Sequence, residues 1–203
     1  QWHRTPAAGE LIFFVGTGIG NDMRVLAARW LRVLLLVASL AALAAELVVI
    51  TDAQIAKLAQ EFGPVARNRL TSWKEILTAP KYKKMSEREK LELVNDFMNQ
   101  TTFISDIKHW GKEDYWATPI EFLSTNGGDC EDYSIAKYFT LRALGVPDEK
   151  LRITYVKELV VYNEAHMVLA YFPTPDSEPL VLDNINKTIQ PASARTDLLP
   201  VYS

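Results

Sequence analysis

Between residues 52 and 98, apolar residues recur at the spacing of amphipathic helices. The first segment follows Asp52, a suitable N-cap, and we expect Gly63-Pro64 to end it. The third begins at a capping box of Ser86 and Glu89. The apolar positions of the three segments are Ile55, Leu58, Ala59 and Phe62; Val65, Leu70, Trp73, Ile76 and Leu77; and Leu91, Val94, Phe97 and Met98. We expect these faces to contribute to one hydrophobic core.

Two further helices are predicted downstream. Thr118-Pro119-Ile120-Glu121 combines a capping threonine with proline at the first helical position, and predicts a short helix that reaches about Ser124. Residues 126–128 (Asn-Gly-Gly) predict a tight turn, because glycine adopts positive φ freely. Asp129 is then the expected N-cap of a longer helix over residues 130–144, which Gly145 should terminate.

After this helix the pattern changes to short runs that are rich in β-branched and aromatic residues. These runs predict strands at residues 151–156, 160–162, 166–172 and 180–182. Helices come first in the chain and strands follow, which is typical of α+β proteins. We therefore predict an α+β fold in which amino-terminal helices and a central helix at 130–144 pack on an antiparallel sheet.

The amino-terminal segment has the layout of a secretory signal. Three arginines (Arg24, Arg29 and Arg32) precede an apolar run at residues 33–45 that ends in small residues, so cleavage is expected near Ala44 or Ala45. The run is shorter than the roughly 20 apolar residues of a membrane span. We predict an upstream extension at residues 1–22 that is not part of the mature protein, a signal peptide at 23–45 and one domain at 46–203. An uncleaved anchor or a buried core helix is the alternative.

Charge and cysteine content exclude several classes of function. The 203-residue chain has a formal net charge of −3, which provides no broad basic surface for nucleic acid or anionic lipid. We therefore expect no nucleic-acid partner, and no stable membrane insertion after signal cleavage. Cys130 is the single cysteine, so neither an internal disulfide nor a cysteine-based zinc cluster can form.

The position of Cys130 suggests a nucleophile. A thiolate in the first turn of a helix is stabilised by the helix dipole and by free backbone N–H groups, although an unpaired cysteine can equally be a small core residue. A nucleophilic thiol needs a base and a group that orients the base. His166 begins one predicted strand and Asp183 ends the next, so neighbouring strands could bring them together. Each could also be structural, as a core histidine or a turn former.

Four segments together resemble the bacterial transglutaminase-like cysteine proteinases: residues 126–133 (NGGDCEDY), 115–121 (YWATPIE), 166–169 (HMVL) and 182–184 (LDN). The resemblance covers most of the chain from about Asp52 onward. It implies a papain-like, transglutaminase-like fold with Cys130, His166 and Asp183 as the catalytic triad.

The same resemblance implies a periplasmic endopeptidase that cuts the amino-terminal region of a large surface adhesin between paired alanines and releases cells from a biofilm. An inner-membrane receptor for cyclic di-GMP would sequester the protease through its periplasmic domain.

Negative charge is crowded around the proposed nucleophile. Asp129, Glu131 and Asp132 flank Cys130, and nearby like charge opposes formation of a thiolate. A hard divalent cation such as calcium would neutralise these carboxylates, although acidic residues also simply favour helix amino termini. The family resemblance implies calcium dependence, with Asp129 and Glu131 as ligands and Asp132 and Asp114 as further candidates.

Alternative functions remain open at this point. The same triad could transfer the acyl group to an amine, as in a transglutaminase, or act as an amidase. A catalytically inactive papain-like binding protein is a third possibility. The backbone N–H of Cys130 is the expected first donor to the oxyanion, and Trp110, Trp116 and Asn126 are equal candidates for the second.

Overall fold

The computed structural model describes residues 50–202. The predicted extension at residues 1–22 and the predicted signal peptide at 23–45 lie outside the described residues. Within the described part of the chain, the helices lack the combination of length and hydrophobicity that a membrane span requires.

The longest helix, α1 (Asp52–Thr78), consists of two segments that meet at a kink. Gly63 has a φ of 85°, which takes it out of the helical conformation, and Pro64 follows it inside the helix. The predicted break at this dipeptide is confirmed. The cap is Thr51 rather than the predicted Asp52, because the Thr51 side chain accepts the backbone N–H of Gln54.

Four shorter helices follow: α2 (Pro80–Lys83), α3 (Glu87–Met98), α4 (Asp106–His109) and α5 (Pro119–Thr125). The capping boxes predicted at Ser86 and Thr118 are both present, so the starts of α3 and α5 are those expected from the sequence. Helix α4 was not predicted, because its single turn leaves too few residues for a periodic pattern.

Helix α6 (Cys130–Ala143) confirms the predicted central helix, and Gly145 follows it with a φ of 87°. The turn before it forms for a different reason from the one predicted. Asn126, with a φ of 59°, takes the left-handed conformation, and Gly127 and Gly128 do not have positive φ. A Cβ at Gly128 would lie 2.5 Å from Oδ2 of Asp132, so these glycines allow close approach rather than an unusual φ.

Seven strands are present in the described residues: β1 (Thr102–Phe103), β2 (Gly127–Gly128), β3 (Leu151–Glu158), β4 (Ala165–Tyr171), β5 (Leu180–Leu182), β6 (Gln190–Pro191) and β7 (Leu198–Tyr202). Strands β1 and β2 form a small parallel pair. The other five form an antiparallel sheet in the order β6-β5-β4-β3-β7.

The strand predicted at residues 160–162 is wrong. These residues form part of the connection between β3 and β4, because the carboxylate of Glu158 accepts the backbone N–H groups of Val160, Val161 and Tyr162 at 2.7 to 2.9 Å. Backbone donors that are bound to a side chain cannot join a strand ladder.

Helix α6 lies between the other helices and the sheet, in contact with β4 on one side and with α3 and α5 on the other. Its buried positions join the main core, which includes Trp73, Leu91, Phe122 and Leu169. The Trp73 indole donates a hydrogen bond of 2.9 Å to Thr140 on α6. The predicted α+β architecture, with a central helix packed on an antiparallel sheet, is confirmed, and it places the first turn of α6 beside the beginning of β4.

Candidate active site and metal centre

Cys130 is the first residue of α6, and Asp129 occupies the N-cap position. A backbone hydrogen bond from Met167 reaches the Cys130 sulfur, which therefore lies against β4 next to His166. The thiol also donates to Oε2 of Glu131 at 3.1 Å. The helix start and the strand start thus bring the cysteine and histidine segments together.

His166 and Asp183 form a buried hydrogen-bonded pair. Nε2 of His166 lies 2.8 Å from Oδ1 of Asp183, and the two residues are 4% and 1% exposed. Strands β4 and β5 are antiparallel neighbours with Leu169 opposite Leu182, so Asp183, the residue after the end of β5, comes close to His166 near the start of β4. Because Nε2 contacts Asp183, Nδ1 is the ring nitrogen left to accept a proton from a thiol.

Three residues that sequence reasoning missed fix Asp183 in place. Nη2 of Arg195 donates to Oδ2 of Asp183 at 2.5 Å, and the carbonyl of Asp183 accepts from Nζ of Lys137 at 2.9 Å and from Nδ2 of Asn99 at 2.8 Å. Arg195 is itself held by Asp197 at 2.7 Å. No periodic pattern or motif marks these residues, because they converge from α3, α6 and the segment before β7.

The electrostatics of Asp183 follow from these partners. Burial alone would raise the pKa of its carboxyl group, but hydrogen bonds from His166 and Arg195 outweigh burial and hold the pKa well below its usual range. Asp183 is therefore a carboxylate at neutral pH. Burial also lowers the pKa of Lys137 to about 7.

The thiol does not have the lowered pKa that its place at a helix start predicts. Burial and the adjacent Glu131 carboxylate raise the pKa of Cys130 above its ordinary value, and Asp129 adds to the increase. The expectation that the crowded carboxylates oppose ionisation is met. Additional positive charge is needed near this sulfur.

The proposed nucleophile and base share one cavity. A cleft of about 370 Å³ is lined by Cys130, His166 and Trp116 together with acidic residues that include Asp114 and Glu131. Among the oxyanion candidates, Trp116 lines this cleft, whereas Trp110 and Asn126 do not. Nδ2 of Asn126 instead donates to Thr102 at 3.3 Å.

Carboxylate oxygens gather in two groups next to the cleft. Asp106, Asp114 and Glu131 form one group, and Asp106, Asp129 and Asp132 form the other, with the ligand atoms of each group within 4.8 Å of one another. The four residues predicted from sequence are divided between the two groups, and Asp106 is an additional member that both groups share. Sequence reasoning missed Asp106 because it lies in α4, far along the chain from Cys130.

Several of these oxygens have no hydrogen-bond donor. Oδ1 of Asp106 and Oδ1 of Asp129 are buried without a partner, whereas both oxygens of Asp132 accept backbone N–H groups, from Ala117 at 2.7 Å and from Asp129 at 3.2 Å. Burial raises the pKa of all three carboxyl groups, to about 8 for Asp129 and about 7 for Asp132, and neighbouring negative charge adds to the increase. An all-oxygen set with unpaired buried acceptors fits a hard divalent cation.

Comparisons with known proteins agree with this geometry. The family model of the bacterial transglutaminase-like cysteine proteinases matches residues 72–197. The solved structure of Legionella pneumophila LapG is 47% identical and covers 76% of this chain and 83% of that chain, with a TM-score of 0.65. Calcium-bound LapG from the same organism is 48% identical, covering 75% and 83% of the two chains, with a TM-score of 0.65.

A third structure, of EGTA-treated LapG from Legionella pneumophila, is 47% identical and covers 75% of this chain and 81% of that chain, with a TM-score of 0.64. No match was found among curated proteins. The predicted family is confirmed, and its solved structures similar to this chain include LapG. The chain therefore belongs to the bacterial transglutaminase-like cysteine proteinases, and it is a cysteine peptidase.

Proposed function

We propose that this protein is a calcium-dependent periplasmic endopeptidase that cleaves the amino-terminal region of a large surface adhesin, between paired alanines, and thereby releases cells from a biofilm. The observation that carries the proposal is the cleft in which Cys130, His166 and a cluster of carboxylates meet. The likeness to LapG supports the choice of substrate class. Cys130, His166 and Asp183 are the catalytic residues in this proposal.

The reaction begins when Nδ1 of His166 accepts the Cys130 proton and the sulfur attacks the carbonyl carbon of the scissile peptide. The new S–C bond forms, the peptide C–N bond breaks, and His166 returns the proton to the leaving nitrogen. Water, deprotonated by His166, then attacks the thioester and breaks the S–C bond. Asp183 keeps the imidazole oriented throughout, since its Oδ1 accepts from Nε2 at 2.8 Å.

Calcium fits the carboxylates at the start of α6. Asp106, Asp114, Asp129 and Glu131 would hold the ion, because Asp106 and Asp129 have buried oxygens without donors and Glu131 belongs to the group that includes Asp106 and Asp114. Asp132 is a further candidate, although backbone N–H groups already occupy its two oxygens. When bound, the ion supplies positive charge that offsets the carboxylates opposing ionisation of the thiol. A calcium-bound structure of the similar LapG supports calcium as the ion.

The proposed location and regulation follow from the predicted signal peptide at residues 23–45 and from the likeness to LapG. The protease would act in the periplasm. A LapD-like inner-membrane receptor, controlled by cyclic di-GMP in the cytoplasm, would sequester the protease through its periplasmic domain.

The decisive experiment incubates the purified protein with the amino-terminal region of a large adhesin from the same genome, with calcium or with EGTA. We expect one cut between paired alanines with calcium, and none with EGTA or with the Cys130→Ala variant. An intact adhesin in the presence of calcium would overturn the proposed substrate. Incorporation of a labelled primary amine into the new carboxyl end would indicate a transglutaminase instead.

A further inference from the structure

A group of exposed apolar side chains includes two, those of Phe103 and Tyr162, that line a recess next to Cys130. This apolar rim consists of Phe103 on β1 and of Leu159, Val160, Val161 and Tyr162 in the connection between β3 and β4. Val160 is 75% exposed, and the other four are between 42% and 57% exposed. Exposing adjacent large apolar side chains to water is unfavourable, and such patches commonly mark interaction sites.

The exposure results from a fixed backbone. The carboxylate of Glu158, in a residue only 1% exposed, accepts the N–H groups of Val160, Val161, Tyr162 and Asn163. These hydrogen bonds tie the connection to the end of β3 and leave its side chains facing outward. Hydrogen bonds from backbone amides to a carboxylate are among the stronger kind, so the rim is preorganised.

The rim continues into the proposed reaction centre. The rings of Phe103 and Tyr162 stack with centroids 6.2 Å apart and planes inclined by 19°. Both residues line a recess of about 170 Å³ that Cys130 and His166 also line. A polypeptide whose backbone crosses the sulfur would therefore come close to these two rings. The cleft is also lined by the acidic residues Glu113 and Asp114.

We infer that the apolar rim binds apolar side chains of the extended substrate polypeptide on one side of the scissile bond. This inference rests on the proposed endopeptidase function and adds the residues that determine specificity. The substrate is the occupant because the recess is continuous with the cleft that holds the thiol. The rim contributes binding area and hydrophobic selectivity, and it takes no part in bond breaking.

The test compares three variants with the wild-type protein on the adhesin region described above. Phe103→Ser removes one wall of the recess, and the double variant Val160→Ser/Val161→Ser removes the outer part of the rim. Val65→Ser is the matched control, because Val65 on α1 is 65% exposed and belongs to neither the cleft nor the rim. Alkylation of Cys130 by iodoacetamide, measured in parallel, reports on the thiol without any peptide.

We expect Phe103→Ser and the double valine variant each to lower kcat/KM by about tenfold, mainly through a higher KM. The rate of alkylation should match that of the wild type, and Val65→Ser should behave as the wild type in both assays. The loss should shrink for a substrate whose apolar residues beside the cleavage point are replaced by serine, because the two changes remove the same contact.

Unchanged KM values in both rim variants would overturn the inference. It would also be overturned if the variants cleaved normally but no longer bound the periplasmic domain of a LapD-like receptor, since the rim would then serve the regulator. A wild-type protein that is alkylated but cuts no adhesin would refute the proposed substrate, and the rim assignment would fall with it. Glu158→Gln, which loosens the loop while keeping its side chains, should give a smaller rise in KM than the double valine variant.

Discussion

Asp183 and Asp106 are almost equally buried, at 1% and 2% exposure, yet their electrostatics are opposite. Asp183 accepts hydrogen bonds from His166 and Arg195, and its pKa is lowered. Asp106 accepts one backbone N–H from Tyr115, keeps a second buried oxygen without a donor, and has a raised pKa. Burial raises the pKa of both groups, and only in Asp183 do the hydrogen-bond partners outweigh it.

The groups that surround Asp183 and Asp106 differ in charge. Around Asp183 the chain itself supplies the donors, because the Arg195 guanidinium binds the carboxylate and Nζ of Lys137 binds the backbone carbonyl. Around Asp106 the neighbours that raise its pKa, Glu131 and Asp114, are acidic. The first region is complete as folded, and the second requires a cation from solution. Cys130 lies beside the second region, where burial and the carboxylates of Glu131 and Asp129 raise the pKa of its thiol.

Removal of the cation is expected to have the largest effect. We predict that EGTA abolishes cleavage and that added calcium restores it, because the carboxylates otherwise oppose ionisation of Cys130.

Asp106→Asn removes one charge from both carboxylate groups and should raise the calcium concentration for half-maximal activity by at least about tenfold. Titration of activity with buffered calcium measures both effects. Asp176→Asn, in an exposed loop, is the matched control, and an unshifted calcium titration in Asp106→Asn would contradict the role of Asp106.

The partners of Asp183 are all supplied by the chain, and Asp183→Asn should lower kcat by about a thousandfold while the fold is retained. The oxygen of the amide can accept from Nε2 of His166, but the amide lacks the negative charge that stabilises the imidazolium. Its NH₂ group would face Arg195, where Oδ2 of Asp183 now accepts a hydrogen bond of 2.5 Å, so that hydrogen bond would be lost. Steady-state kinetics at saturating calcium measure the loss. A kcat within about threefold of the wild type would show that His166 does not depend on Asp183.

The sequence predicted those parts of the fold that local patterns encode. The capping boxes at Ser86 and Thr118 and the stop at Gly145 each follow from a few adjacent residues, and each is present in the structure. The wrong strand prediction at residues 160–162 also comes from reading a local pattern. Valine and tyrosine favour strands, but the tertiary position of Glu158 decides where their backbone donors are bound.

The candidate site was predictable where one segment carries its chemistry. Residues 129–132 are adjacent in sequence, so the carboxylates around Cys130 could be identified without coordinates. Asp106 and Arg195 could not, since neither lies in a motif or a periodic pattern that marks it as functional. The direction of the shift in the Cys130 pKa could not be predicted from the sequence either. It depends on how strongly burial and the Glu131 carboxylate oppose ionisation of the thiol.

A smaller effect is expected from Arg195, which acts on His166 only through Asp183. Arg195→Gln removes the cation that fixes Oδ2 of Asp183 and should lower kcat by about ten- to a hundredfold with little change in KM. Arg195→Lys keeps the charge and should recover part of the loss. Arg142→Gln removes an exposed guanidinium that pairs with Asp148 at 3.3 Å, and it should leave kcat unchanged. Equal losses in the Gln and Lys variants would instead indicate a packing role.

The smallest expected effect is on stability in acid, and it has a definite sign. The pKa of Asp183 is lower in the folded protein than the value of about 3.9 in an unfolded chain, so its ionised form stabilises the fold above about pH 4. That contribution is lost as the pH falls below about 4 toward the folded pKa. Denaturant unfolding at several pH values between 6 and 2 should therefore show a steeper loss of stability in the wild type than in Asp183→Asn, which has no proton to take up at this position. Parallel curves for the two proteins would mean that the partners of Asp183 do not favour its charged form, and the contrast with Asp106 would then lose its basis.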